Sequence, residues 1–273
     1  MQFGWIPDYP DTRDYTKDTE EIRLILSAGK KAGKTDLRAD LREYCSPIIN
    51  QGNLGSCTAN AASGIVEYFQ NRSCGGYASV SRLFVYKATR NLMRKNGDTG
   101  AYIRTTMGAL ALFGAPPEKY WEYEEGKFDI EPPSFCYSYA SNYQALKYFR
   151  LDEQGKTEKE ILLGIKETLS SGVPAMFGFT VYNSIRSATG GKIPYPGKGD
   201  TVLGGHAVAA VGFDDEMKIG SSVGAFVIRN SWGVEWGDKG YGYLPYDYVL
   251  NGLALDWWAL VKAEWTDTEK FGV

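Results

Sequence analysis

The chain has 273 residues and a net charge of −3, and 23% of its residues are charged. That length builds one large domain, or two small ones sharing an interface, and buries a core without disulfide or metal staples. The weak charge and the lack of a basic stripe argue against nucleic acid as a partner. No run reaches the ~18 apolar residues of a membrane span, and nineteen Tyr and seven Trp argue against disorder. The start, Met1 to Asp8, lacks the basic and apolar regions of a signal peptide. That does not separate a protein that is not secreted from one whose signal has been removed, so the compartment stays open.

The four cysteines, Cys45, Cys57, Cys74 and Cys136, contain no C-x-x-C pair, and His206 is the only histidine. A Cys/His metal cluster therefore lacks ligands, and neither metal nor cofactor is expected. Any imidazole chemistry must use His206.

In chain order, residues 1–34 stand apart as an N-terminal extension. Pro7-Asp8-Tyr9-Pro10-Asp11 is turn-rich, Glu20 to Ala28 fits a short helix, and Gly29 to Lys34 reads as a flexible basic linker. Such an extension is either a solvated tail or a cleavable prosegment. The main body spans 35–265, and 266–273 form a tail. Gln51 to Ser56 is a Gly-rich loop. Thr58, Ala61, Ala62, Ile65, Val66 and Phe69 then recur at helical spacing, which sets Cys57 near the start of an amphipathic helix. Further helices are expected around Ser81 to Arg94 and Ile103 to Phe113, the latter stopped by Gly114 and Pro116-Pro117. The second half holds a helix at Glu158 to Leu169. Strands follow at Val173 to Val181, Ala207 to Phe213, Ala225 to Arg229, Tyr241 to Tyr243 and Trp257 to Val261, with a turn opening at Asp214-Asp215. A helical half (about 35–145) thus precedes a β half (about 146–265), an α+β arrangement.

A thiol at a helix N-terminus has its pKa lowered by exposed N–H groups and the helix dipole. On position alone, however, Cys57 also fits a buried structural cysteine. His206 follows Gly204-Gly205 at the entry to an apolar strand, 149 positions after Cys57. A nucleophilic Cys with His and Asn roughly 130–150 residues downstream is the papain and cathepsin pattern.

Three segments carry the likeness. Gln51-Gly52-Asn53-Leu54-Gly55-Ser56-Cys57 resembles the papain family's Gln-Gly-x-x-Gly-Ser-Cys motif. Gly205 to Phe213 resembles its histidine strand. Asn230-Ser231-Trp232-Gly233-Val234-Glu235-Trp236-Gly237-Asp238-Lys239-Gly240-Tyr241-Gly242 resembles its Asn-Ser-Trp-Gly segment. The likeness runs from about Thr35 to about Val261. It implies a papain-like fold with a helical subdomain, a β-barrel-like subdomain and a cleft between them. It also implies a cysteine endopeptidase acting on protein or peptide substrates: Cys57 as nucleophile, His206 as base, Asn230 orienting the ring, and Gln51 with the Cys57 N–H forming the oxyanion hole. Trp232 would shield the His–Asn bond, with Trp236 in support, though both also fit ordinary core packing. Aligned with the family's Gly-Gly-Tyr segment, Thr99-Gly100-Ala101-Tyr102 makes Gly100 and Ala101, with Gly205, the substrate-binding residues. Cys74-Gly75-Gly76-Tyr77 is closer in letters but lacks the helix that should follow.

The departures are specific. Leu54 stands where many relatives have a disulfide-forming cysteine, and Thr58 replaces an aromatic residue. Asn230 lies 24 residues after His206, with the extra residues expected as a longer turn around Asp214 to Gly224. These features suggest a divergent, microbial branch. With no second histidine, an exopeptidase blocking loop is not expected. Residues 1–34 are expected to act as an intramolecular prosegment, relieved by cleavage near Lys30 to Lys34. The competing readings are a thiol transpeptidase or deamidase using the same triad, and a catalytically silent papain-like binding protein.

Overall fold

The computed structural model describes residues 2–20, 22–23, 37–143 and 145–263. Residues 20, 22 and 23 are helical, within the stretch expected as a short helix. The rest of the 24–28 stretch, the Gly29 to Lys34 linker and the 266–273 tail lie outside the described residues.

Helix α1 (Cys57–Cys74) is buried on every face from Cys57 to Tyr68. Its small residues Ala59, Ala61, Ala62, Ser63 and Gly64 let neighbouring elements close on it, as a central helix requires. Helix α2 (Arg82–Leu92) starts where the Ser81 hydroxyl accepts the Phe84 N–H at 3.2 Å. Helix α3 (Ile103–Phe113) has the bounds expected from its Gly and Pro stop signals. A short helix α4 (Ser134–Ala140), which the apolar spacing did not reveal, completes the helical half.

The second half is an antiparallel sheet. Its strands are β2 (Ala145–Arg150), β3 (Ala175–Tyr182), β4 (Val202–Ile219), β5 (Ser222–Arg229), β6 (Tyr241–Pro245) and β7 (Ala254–Ala263), in the order β2-β7-β3-β4-β5-β6. Strand β1 (Arg38–Asp40), from the first half, pairs with β4 and ties the two halves together. Helix α5 (Glu158–Ser170), opened by a Thr157/Glu160 capping box, and a short helix α6 (Asp247–Leu250) lie in this half. Successive side chains on a strand face opposite ways. Ala207, Ala209 and Val211 of β4 accordingly join a core shared with α1, α2 and α3, while Val208 and Ala210 join one with Phe177, Phe213, Trp257 and α5. Both faces are covered, so β4 reads as a continuous apolar run.

One expectation needs correction. Asp214-Asp215 opens no turn: β4 continues to Ile219, and the reversal to β5 falls at Gly220. The extra residues lengthen the hairpin arms instead of its turn. Asp214 pairs with Ala225 and Lys218 with Val223, and the register slips between them. A ladder can extend past the point where its apolar pattern stops, because backbone pairing does not require apolar side chains.

Candidate active site

Cys57 is the first residue of α1. Ser56, at the cap position, spends its hydroxyl on Tyr123 and Asn60 rather than on the helix end. Cys57 is fully buried. Burial pushes its thiol up to about 11, against backbone amides of Ala207, Gly4, Thr58 and Cys57 itself that favour the thiolate. The sulfur therefore lies against the residue that follows His206.

His206 sits on β4 and is also fully buried, which pulls its pKa down to about 4. Its Nε2 lies 2.8 Å from Asn230 Oδ1, the bond expected between them. The same oxygen accepts the Ser231 N–H at 2.8 Å, so the amide is held with its oxygen toward the ring. Among the described residues His206 Nδ1 has no hydrogen-bond partner. Trp232 stacks on the imidazole at 4.3 Å between centroids, and Trp236 meets Trp232 edge-on at 5.1 Å.

Gln51 is wholly buried. Its Oε1 accepts the Ser231 hydroxyl at 2.6 Å, which fixes the amide face, and its Nε2 donates to the Leu54 carbonyl at 2.9 Å. The same Nε2 lies 3.3 Å from the carbonyl oxygen of Gln2. The role of Ser231 was not found in the sequence, although it stands inside the Asn-Ser-Trp-Gly motif and adjoins Asn230.

Residues 2–6 run as an extended strap against Gly205 and Ala101. The Gly4 and Trp5 N–H groups donate to the Gly205 carbonyl at 3.2 and 3.1 Å. Ala101 donates its N–H to Gly4 O at 2.7 Å and accepts the Ile6 N–H at 3.1 Å, pairing in parallel with Trp5. Gly100 (φ +72°) lets the strap approach, since a Cβ there would lie 2.3 Å from Gly4 O. All three residues expected to bind a peptide thus meet the strap. Phe3 lies edge-on to both His206 and Trp232. The alternative match is elsewhere: Gly75 caps the C-terminal end of α1. Farther along, Arg104 pairs with Asp8 and Asp14 at 2.9 and 2.8 Å, and Arg150 bonds the Asp8 carbonyl.

A second feature was not visible in the sequence. Asp98 accepts the Gly55 N–H at 2.9 and 3.0 Å and the Tyr86 hydroxyl, whose oxygen accepts the Gly100 N–H at 3.1 Å. This network ties the loop before Cys57 to the Gly100–Ala101 segment that holds the strap. The four cysteines form no disulfide. Among the described residues, no group of three His, Cys, Asp or Glu could hold a metal ion, and no helix is long and apolar enough to cross a membrane.

In this α+β fold a buried thiol at the head of α1, a buried imidazole on β4 and an amide oxygen bonded to that imidazole are the groups of a thiol-dependent hydrolase of the papain type. The profile of the papain family cysteine proteases matches residues 32–251. The chain is 36% identical to an uncharacterised peptidase C1-like protein, L477, of Acanthamoeba polyphaga mimivirus, over 94% of this chain and 86% of that one. It is 28% identical to the thiol protease aleurain of Arabidopsis thaliana over 77% of its own length but spans only 55% of aleurain. The crystal structure of xylellain, a cysteine protease from Xylella fastidiosa, superposes with a TM-score of 0.77 at 33% identity, covering 94% of this chain and 95% of that one. The procathepsin B of Trypanosoma congolense shares the fold at 16% identity, with a TM-score of 0.69. The chain belongs to the papain family of cysteine proteases, as a divergent member of microbial type, and is a cysteine peptidase.

Proposed function

We propose that the protein is a cysteine endopeptidase whose N-terminal extension holds it inactive. The observation that carries this reading is the strap. Its backbone takes up both hydrogen-bonding groups of Ala101, the Gly205 carbonyl and a Gln51 donor, while Gly4 packs on Cys57. Those are the groups that an extended peptide substrate would use. With the strap seated, burial pushes the thiol up and the imidazole down, both toward their neutral forms.

When the strap leaves, water and substrate restore the polarity that stabilises a thiolate–imidazolium pair. The thiolate attacks the peptide carbonyl carbon. The oxyanion that forms is held by Gln51 Nε2 and the Cys57 N–H, a donor set in which each member is worth about 3–4 kcal/mol. The imidazolium protonates the departing amine, leaving a thioester on Cys57. Water, deprotonated by His206, then releases the acid and returns the proton to the Cys57–His206 pair. Asn230 keeps the ring in one orientation throughout, and Trp232 covers the bond from solvent. Cleavage in the Lys30 to Lys34 linker would let the strap dissociate.

The test is hydrolysis of fluorogenic peptides by the full chain and by a full-length Cys57→Ala variant, before and after limited proteolysis of the linker. Activity that rises on nicking and is absent from Cys57→Ala supports the proposal. Equal activity before and after nicking removes the inhibitory role. Amide formation with an added amine in place of hydrolysis would favour a transpeptidase.

A further inference from the structure

Both oxyanion donors of the proposed reaction belong to one short loop. Gln51 opens it, and the Cys57 N–H closes it, directly after Ser56. For the two donors to converge on one oxygen, the ends of the loop must keep a fixed separation. Residues 51–56 have no regular structure that would set it, being turns and bends. Each end has its own anchor: the Ser231 carbonyl accepts the Gln51 N–H at 2.9 Å, and α1 begins at Cys57. Neither anchor relates one end to the other. The side chain of Tyr123 does. Its hydroxyl donates to the Gln51 carbonyl at 2.8 Å and lies 2.7 Å from the Ser56 hydroxyl.

The direction of these bonds follows from the groups present. A phenol has one proton and a carbonyl can only accept, so the Tyr123 proton goes to Gln51. The Tyr123 oxygen then accepts the Ser56 O–H. Ser56 in turn accepts an Asn60 Nδ2–H at 2.9 Å, one turn along α1. The result is a directed chain from Asn60 through Ser56 and Tyr123 to Gln51, in which each bond polarises the next. The ring is held as well as the hydroxyl. Arg82, buried at the head of α2, sets its guanidinium over the Tyr123 ring, 4.0 Å from the centroid. The same guanidinium bonds the Asn50 carbonyl and Asn60 Oδ1, each at 3.3 Å, and Glu118 at 2.7 Å. Arg82 thus reaches from the residue before the loop to the helix after it. Glu125, two residues past Tyr123, accepts the Asn53 N–H at 3.0 Å in the middle of the loop.

We propose that Tyr123 is a positioning residue for the oxyanion hole: its hydroxyl sets the separation of Gln51 Nε2 and the Cys57 N–H, and Arg82 holds its ring in place. The inference rests on the peptidase reading, which gives those two donors their role. The bonds of Tyr123 go to the ends of the loop and not to the sulfur or the imidazole. It therefore acts through the placement of the donors and leaves the reactivity of the thiol alone.

The test separates reactions of Cys57 that form an oxyanion from one that does not. The full chain, nicked at the linker, is compared with Tyr123→Phe in the same form, and a thermal melt confirms the fold of each. A peptidyl aldehyde takes the sulfur at its carbonyl carbon; the carbonyl pair becomes an oxygen anion in the hole, and no group leaves. Hydrolysis of a fluorogenic peptide passes through the same kind of anion. Iodoacetamide forms an S–C bond and expels iodide, with no oxyanion. Losing both hydrogen bonds of the hydroxyl should weaken aldehyde binding about tenfold and lower kcat by a similar factor, with KM within about twofold. Alkylation by iodoacetamide should also stay within about twofold. Ser56→Ala, which keeps the bond from Tyr123 to Gln51, should lose about threefold in aldehyde affinity and kcat. In a Gln51→Ala background the effect of Tyr123→Phe should shrink to about half or less, because one of the donors it places is gone. Unchanged aldehyde affinity in Tyr123→Phe, or alkylation that falls as far as kcat, overturns the assignment. If Tyr123→Phe does not fold, Ser56→Ala decides by the same comparison. A chain that binds the aldehyde in this order but hydrolyses no peptide keeps the positioning role and loses the peptidase reading. One that hydrolyses peptides with Tyr123→Phe equal to the parent does the reverse.

Discussion

The Ser231 hydroxyl donates to Gln51 Oε1 at 2.6 Å, joining the loop before the nucleophile to the segment that carries Asn230. An amide can present either face to a cleft, and this bond selects the one with the N–H outward. Removing it should let Gln51 turn. In an active form of the full chain, Ser231→Ala is expected to lower kcat about five- to tenfold, the worth of one ordinary hydrogen bond. Gln51→Ala should cost about 10²–10³. Steady-state kinetics on a fluorogenic peptide checks both, and a Ser231→Ala enzyme with unchanged kcat would contradict the role.

The strap can be displaced without being cut. A Cβ on Gly4 would lie 1.8 Å from the Gly55 carbonyl oxygen, closer than atoms can approach. Overpacking of this kind costs about 1–3 kcal/mol. Gly4→Ala in the full chain should therefore raise peptide hydrolysis by about tenfold or more, and it supplies the active background for the other kinetic tests. Unchanged activity would mean that the strap does not limit access.

Acid should act on the closed form through His206. Burial holds this imidazole down to about 4 from its ordinary 6.5. An open or unfolded chain takes up the proton as pH falls below 6.5, whereas the closed chain does not until about 4. The contribution of neutral His206 to stability is thus present above 6.5 and lost as pH falls toward 4, by about 3 kcal/mol. Asp256, pushed up to about 7 by burial, has the opposite sign: its contribution is present below 3.8 and lost as pH rises through about 7. Comparing melts of the parent and His206→Gln cancels the Asp256 term. The difference in Tm should move in favour of the variant by roughly 6–10 °C between pH 7 and pH 4. A constant difference would show that the imidazole is not buried neutral.

Asp98 holds the Gly55 N–H and, through Tyr86, the Gly100 N–H. Asp98→Ala should lower kcat/KM by about tenfold or more, the scale of a lost charged acceptor. Asp98→Asn, which keeps an oxygen toward Gly55, should recover part of the loss. Kinetics of the two variants and of Tyr86→Phe in the Gly4→Ala background would measure this, and equal rates for Ala and Asn would contradict it.

Much of the site was legible because its residues lie in three contiguous motifs whose spacing carries over into the fold. Helix α3 was legible to the residue because Gly114 and the prolines stop it by local chemistry. What was missed depends on partners far apart in sequence. Nothing near Asp98 indicates that its carboxylate meets Gly55, and nothing near Asp256 announces a bulge, which arises from pairing with β3. The 214–219 extension of β4 was read as a turn because its acidic residues break the apolar pattern while its backbone keeps pairing. That Trp5 of the extension packs against Gly178 and Gly205 depends on residues far along the chain, and no local pattern announces it.

The most direct test of the account is covalent capture of Cys57 by a peptidyl epoxide, followed by intact-mass measurement on three full-length proteins. A single adduct on Cys57 should form about tenfold or more faster in Gly4→Ala than in the parent, and should be suppressed in a Gly4→Ala/His206→Ala double variant. Equal rates in all three would contradict a thiol that is activated by His206 and covered by the strap.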